Sequence, residues 1–241
     1  MQIYLPIAEM SINIFVLLFY PAIALNLKGL GAESAPAHPR PLPVHGVAGA
    51  AGNAVEVRNA VDFLTGAAHD QRLLEVTLSL AAHALVLAGT ASDVTVGHNL
   101  AEGVLASGEA AERFGRMVSA LGGPADFISN LDQHLSRAPI VRDVFADRSG
   151  AIASIDTRKL GMAVVALGGG RRTPSDTIDH SVGFDHLIGL GAKADSNSPI
   201  ARIHARDETS CVEAERRLRE AYQIGKPQDV NPLIVETILP E

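Results

Sequence analysis

Apolar side chains recur at helical spacing through the middle of the chain. Asn53 is a suitable N-cap for a helix with apolar residues three to four positions apart, which Gly66 ends. A second helix is predicted over 72–88; its apolar positions lie nearly all round, so we expect it to be buried. Further helices are predicted over 96–106 and 108–120, with a short one over 125–134.

Beyond Pro139 the apolar runs shorten to the length of strands. Strands are predicted over 140–145, 150–155, 181–188 and 199–204. Between the second and third of these, Asp156 precedes a predicted helix over 157–167 that three glycines end. A last helix is expected over 208–224, with Glu213, Arg216, Arg217 and Glu220 on one face. The order predicts an α+β fold, in which a helical segment precedes a C-terminal α+β lobe.

The first 46 residues differ in character from the rest. Residues 12–27 form an apolar run that is shorter than the ~20 residues that span a bilayer comfortably. No basic residue precedes Lys28, so a signal peptide is not indicated, and a Pro/Ala-rich linker follows over 31–45. Residues 4–13 are similar to the start of sulfite-exporter-type permeases. A membrane segment and a loosely docked apolar arm both stay open for 12–27, which we expect to pack poorly against the body.

These patterns predict three regions. Residues 1–46 are the apolar segment and its linker, 47–137 the helical segment, and 138–241 the C-terminal lobe. A chain of 241 residues with 47% hydrophobic side chains is long enough to bury a core. Aromatic residues make up only 4%, which favours closely packed, alanine-rich helices.

Charge and cysteine content exclude some classes of function. The net charge is −7 and the basic residues form no cluster, which argues against a nucleic-acid partner. Cys211 is the only cysteine, so an intrachain disulfide is excluded and a reducing cytoplasm is expected. We expect Cys211 to be a small buried residue within a helix.

Three sequence blocks carry a family resemblance. The first is Ala-Gly-Asn-Ala-Val-Glu-Val-Arg over 51–58, with Phe-Leu-Thr-Gly over 63–66. The second covers 107–118, and the third runs from Asp156 through the Gly-Gly-Gly-Arg-Arg stretch to 205. In order and spacing, residues 47–224 resemble the C-terminal part of the thymidine/pyrimidine-nucleoside phosphorylase family.

The resemblance implies a pentosyl transferase that moves 2-deoxyribose from thymidine to phosphate. Thymidine and phosphate are then the partners, with phosphate as co-substrate, no cofactor, and a homodimer in intact relatives. In the family, a serine loop, a Lys-x-Ser motif and an Arg…Ser…Lys set bind the substrates, all upstream of the first block. This chain has no Lys-x-Ser, and the spacing after Arg142 places Thr157 and Gly161 where that set has serine and lysine.

The expectation is therefore a truncated thymidine phosphorylase that is inactive alone and offers no catalytic residue of its own. Two alternatives are a non-catalytic interaction module and a membrane-tethered remnant. The anion-binding candidate is Gly169, Gly170, Arg171 and Arg172, because adjacent amides and guanidinium groups hold anions. The other interpretation is a loop that ends a helix and exposes two solvated arginines.

The resemblance also implies a monovalent cation site in some relatives. The matching positions are Val47 and Ala50, through their carbonyl groups, and Asn59, which stands where those relatives have a glutamate. Loss of the carboxylate weakens such a site, because oxygen ligation of a cation favours negative charge.

Overall fold

The computed structural model describes residues 49–68 and 70–226. The expectations for 1–46, including the apolar run over 12–27, and for the tail beyond 226 lie outside these residues. Within the described part, every helix is too short or too polar to cross a membrane.

The fold is mixed α+β, as the sequence predicts. Over the described residues the helices are α1 (Ala54–Thr65), α2 (Gln71–Leu87), α3 (Val94–Ala106), α4 (Glu109–Ala120), α5 (Leu131–His134), α6 (Thr157–Leu167) and α7 (Glu208–Ala221). The strands are β1 (Ala51–Gly52), β2 (Ile140–Phe145), β3 (Gly150–Ile155), β4 (Gly183–Asp185), β5 (Lys193–Ala194), β6 (Pro199–Ala205) and β7 (Tyr222–Gly225).

Aspartates start four of the helices. Asp70 accepts hydrogen bonds from the amides of Arg72 and Leu73 at the head of α2. The side chains of Asp93, Asp156 and Asp207 likewise accept an amide in the first turn of α3, α6 and α7. Each carboxylate satisfies an amide that would otherwise lack an acceptor and complements the positive end of the helix dipole.

The strands form two antiparallel sheets. The larger has the order β1-β4-β6-β2, and the smaller has the order β5-β3-β7. Helices α6 and α7 pack against each other and, with both sheets, enclose one apolar core. Phe184, Ile203 and Leu218 are fully buried there, as is Cys211 within α7, which confirms the expectation for the cysteine.

The described chain divides into two compact units. One comprises residues 60–131, and the other comprises residues 49–59 together with 132–226. The sequence-based boundary at 137/138 placed 49–59 with the helical segment instead. These residues belong with the lobe because β1 pairs with β4, in the register Ala51 to Phe184 and Gly52 to Gly183.

Within residues 60–131, α2 and α3 pack closely. A side chain at Gly97 would place its Cβ 2.7 Å from the Ala82 carbonyl oxygen, so the backbones meet at a glycine. The prediction that α2 is buried all round is wrong, because Leu80 is 58% and Leu87 60% exposed. The buried stripe of α2 instead follows helical spacing, with Leu73, Thr77, Leu78, Ala81 and Ala84.

Three element boundaries differ from the predictions. Only Leu131–His134 of the helix predicted over 125–134 is α-helical, and the strand predicted over 181–188 is reduced to Gly183–Asp185. The last helix ends at Ala221, because Tyr222–Gly225 leaves it to pair with β3. Tertiary pairing thus overrides a helical pattern that continues to Ile224.

The turn between β5 and β6 depends on one carboxylate. Hydrogen bonds from the Lys193 ammonium group and the Asn197 and Ser198 amides lower the pKa of Asp195 to about 2. A carboxyl group whose pKa is lowered on folding stabilises the fold fully above its unfolded pKa of about 4. That stabilisation is lost as the pH falls through the folded pKa.

We therefore expect Asp195→Ala to lower the urea midpoint of unfolding most at pH 7, with the deficit shrinking between about pH 4 and pH 2. Urea titrations followed by circular dichroism at pH 7, 5, 4 and 3 measure this. Lys193→Ala serves as the control that removes the ion pair and keeps the two amide bonds. A deficit for Asp195→Ala that stays constant down to pH 3 would contradict the assignment.

Candidate functional site

The loop with the anion-binding candidate begins where α6 ends. Gly168 has φ +99°, a left-handed conformation that favours glycine. Its amide donates to the Val165 carbonyl (3.1 Å), and the Gly169 amide donates to the Val164 carbonyl (3.0 Å). This pair of bonds is a Schellman motif, which satisfies the last carbonyls of the helix. The Gly169 amide is therefore not available to a ligand.

Two of the sequence blocks, the first and the third, meet at this loop. The Asn53 side chain donates from Nδ2 to the Gly169 carbonyl at 2.9 Å. The Ala54 amide donates to the His180 carbonyl (3.0 Å), and the Asp179 amide donates to the Gly168 carbonyl (2.9 Å). Asn53 is 6% exposed, so this bond links the start of α1 to the glycine loop away from bulk solvent.

At the same junction, two paired strands approach each other unusually closely. Gly52 and Gly183 lie opposite each other in the β1–β4 pair, with φ of +145° and +155°. A Cβ on Gly52 would lie 2.7 Å from the Val182 carbonyl oxygen, and one on Gly183 would lie 2.6 Å from the Ala51 carbonyl oxygen. Both positions therefore need glycine for conformation and for space.

Beyond the glycines, an internal carboxylate occupies the turn. Asp176 Oδ2 accepts the amides of Arg172 (2.9 Å) and Thr173 (3.0 Å), and its Oδ1 accepts the Thr173 hydroxyl (2.6 Å). These bonds, that of the Thr173 hydroxyl foremost, lower the pKa of Asp176. The carboxylate therefore occupies two amides and a hydroxyl that an external anion could otherwise use.

The structure brings Gly169, Gly170, Arg171 and Arg172 together on one loop. The side chains of Arg171 and Arg172 are exposed, while the amides of Gly169 and Arg172 already have acceptors within the chain. The arrangement can attract an anion through its guanidinium groups but does not present a ring of free amides. Anion binding at these residues stays a prediction.

A family comparison matches this part of the chain. Residues 151–225, from β3 to β7, match the model of the pyrimidine nucleoside phosphorylase C-terminal domain. Residues 151–225 are thus similar to that domain. The glycine loop, β4, β6 and α7 all lie inside the match, whereas Asn53 and β1 lie before it in sequence.

Of the three cation positions, Ala50 and Asn59 lie within the described residues. Val47 falls outside the described residues. Ala50 directly precedes β1 and is buried, while Asn59 lies in the second turn of α1. Among the described residues, no group of three or more His, Cys, Asp or Glu side chains is placed to hold a metal ion. A site made of carbonyl groups at these positions stays a prediction.

Sequence reasoning missed one polar cluster, which lies at β4 and β6. Asp185 accepts hydrogen bonds from His204 (Nε2 to Oδ2, 2.9 Å) and His186 (Nδ1 to Oδ1, 2.8 Å). Burial raises the pKa of Asp185, but the two histidine hydrogen bonds outweigh it and hold the pKa below its usual value. The adjacency of Asp185 and His186 is the one local signal; the partner His204 becomes visible only through the β4–β6 register.

This cluster stabilises the sheet and does not serve a reaction. Within the described part of the chain, neither imidazole ring bonds a serine, threonine or cysteine, so the nucleophile that a His–Asp pair would activate is missing. A neighbouring pair, Arg202 with Asp143 at 2.7 Å, joins β6 to β2. Together these contacts link the three strands through their polar side chains.

Proposed function

We propose that this chain carries the C-terminal part of a thymidine phosphorylase and does not phosphorolyse thymidine by itself. In the reaction of the family, a phosphate oxygen bonds to C1′ of 2-deoxyribose as the bond to thymine breaks, and the base leaves with a proton. That transition state needs donors around phosphate and on the pyrimidine carbonyls. The cytoplasm is the compartment we propose, in keeping with a single buried cysteine.

The proposal is supported by the hydrogen bonds that the backbone amides of the glycine loop already make within the chain. The Gly169 amide bonds a helix carbonyl, and the Arg172 and Thr173 amides bond the Asp176 carboxylate. These three amides are thus not available to a phosphate, whereas the two exposed guanidinium groups are. Attraction without an opposed nucleoside site gives binding rather than catalysis.

The position of the loop supports the same conclusion. Asn53 and Gly169 lie at a junction that fixes the start of α1 to the glycine loop, which is a structural task. The Lys-x-Ser motif of the family does not occur at any lysine of the 241 residues. Losing one oxyanion-type donor costs on the order of 10²–10³ in rate, and here several are lacking.

The test is thymine release from thymidine in phosphate buffer, with the purified chain at micromolar concentration and a full-length phosphorylase as the positive control. We expect no thymine above the protein-free blank over hours. Circular dichroism on the same sample verifies that the chain is folded, so that inactivity cannot be attributed to unfolding. Turnover near that of the positive control would overturn the proposal.

A further inference from the structure

The helical unit contains a cleft of about 220 Å³ among α1, α2, α3 and α4. Its walls are largely apolar and include Phe63, Leu78, Ala81 and Ala101. The two alanines are almost fully buried, and their small side chains leave the space open. The volume lies below that of drug-sized sites and suits a small molecule with an apolar body.

A polar group inside the cleft lacks a partner. Thr77 lines the cleft and is only 9% exposed. No group of the described residues hydrogen-bonds its hydroxyl, whereas the Thr65 hydroxyl, also on a helix, donates to the Val61 carbonyl at 2.8 Å. The hydroxyl is therefore free to hydrogen-bond a molecule that enters the cleft.

The margin of the cleft carries two opposite charges. Glu109 and Arg113 both line it, four residues apart on α4. Such spacing favours an ion pair, yet none forms between them. Glu109 accepts the Ser107 hydroxyl at 3.2 Å, and Arg113 has no partner among the described residues. Both charges are therefore available to a ligand.

We propose that this cleft binds a small zwitterion with an apolar body, of the class of apolar α-amino acids. Its carboxylate pairs with Arg113, its ammonium group with Glu109, and its side chain lies against the apolar walls. A ligand with a single charge would satisfy one margin residue and be repelled by the other. The site lies within residues 60–131 and is independent of the thymidine reaction.

The experiment compares three ligands of similar size on the full 241-residue chain. The ligands are L-phenylalanine, 3-phenylpropionate without the ammonium group, and 2-phenylethylamine without the carboxylate. Calorimetry or NMR titration should give L-phenylalanine a dissociation constant of roughly 0.1 to several millimolar, as its few atoms allow. Each analogue should bind about tenfold more weakly, since a charge-assisted contact is lost.

Matched variants on α4 test the assigned contacts. Arg113→Gln should weaken L-phenylalanine and 3-phenylpropionate about tenfold and should strengthen 2-phenylethylamine, because the like charge that repels its ammonium group is removed. Glu109→Gln should weaken L-phenylalanine and 2-phenylethylamine and should strengthen 3-phenylpropionate, whose carboxylate Glu109 repels. Arg116→Gln and Glu112→Gln change exposed charges on the same helix outside the cleft and should leave all three ligands unaffected.

Three outcomes would overturn the proposal. The first is the absence of saturable L-phenylalanine binding up to about 20 mM, a range set by the expected affinity. The second is equal weakening by Arg113→Gln and Arg116→Gln, which would indicate general electrostatic attraction. The third is an analogue that binds the unmodified chain as tightly as L-phenylalanine, because then one of the two margin charges has no role.

Discussion

Gly183→Ala is expected to destabilise the unit of residues 49–59 and 132–226, the C-terminal unit, by about 3 kcal/mol or more. The new Cβ would lie 2.6 Å from the Ala51 carbonyl oxygen and 2.8 Å from a methyl group of Val55. It would also be held at φ +155°, which side-chain-bearing residues rarely adopt. Because β1 cannot move away without losing its pairing with β4, the strain falls on the whole junction. Urea unfolding followed by far-UV circular dichroism measures the change.

Gly161→Ala is the matched control for this substitution. Gly161 lies within α6, and a Cβ there meets nothing within 4 Å. Alanine should therefore stabilise the helix by roughly 0.5–1 kcal/mol, because glycine is the poorer helix former. If Gly183→Ala changed the urea midpoint no more than Gly161→Ala does, the close approach of β1 and β4 would be wrong.

Local signals in the sequence predict most of the C-terminal lobe. Helix α6 occupies the predicted residues 157–167, because Asp156 at its start and Gly168 at its end each act through short-range hydrogen bonds. The strands β2 and β3 also match their predictions over 140–145 and 150–155. In each case the residues that set the boundary lie within a few positions of it.

The elements that the sequence missed depend on distant partners. The two residues of β1 and the four of β7 are too short to show a period, and each becomes a strand only by pairing with β4 or β3. The same limit applies to the candidate site. The pattern of its glycines predicts a loop or an anion site, but the bond that ties Gly169 to the start of α1 comes from Asn53. Asn53 lies 116 residues away, beyond any local pattern.

Asn53→Asp is expected to destabilise the C-terminal unit at neutral pH by about 1–3 kcal/mol. Aspartate has the same size and is an equally good N-cap for α1. It lacks the amide donor, however, so the Gly169 carbonyl would lose its partner and face a carboxylate. The substitution therefore tests the bond to Gly169, because a residue that served only as an N-cap would tolerate aspartate.

The measurement pairs urea unfolding with hydrogen exchange of the peptide that spans 168–180. Asn53→Asp should lower the midpoint and speed exchange in that peptide, since the bond holding the glycine loop to α1 is lost. Asn99→Asp is the control, because Asn99 is exposed on α3 and its side chain makes no hydrogen bond within the described residues. As the pH falls and the new carboxyl group takes up a proton, it regains a donor, so the deficit should narrow. A variant as stable as the native chain at pH 7 would mean that the Asn53–Gly169 bond does not hold the junction together.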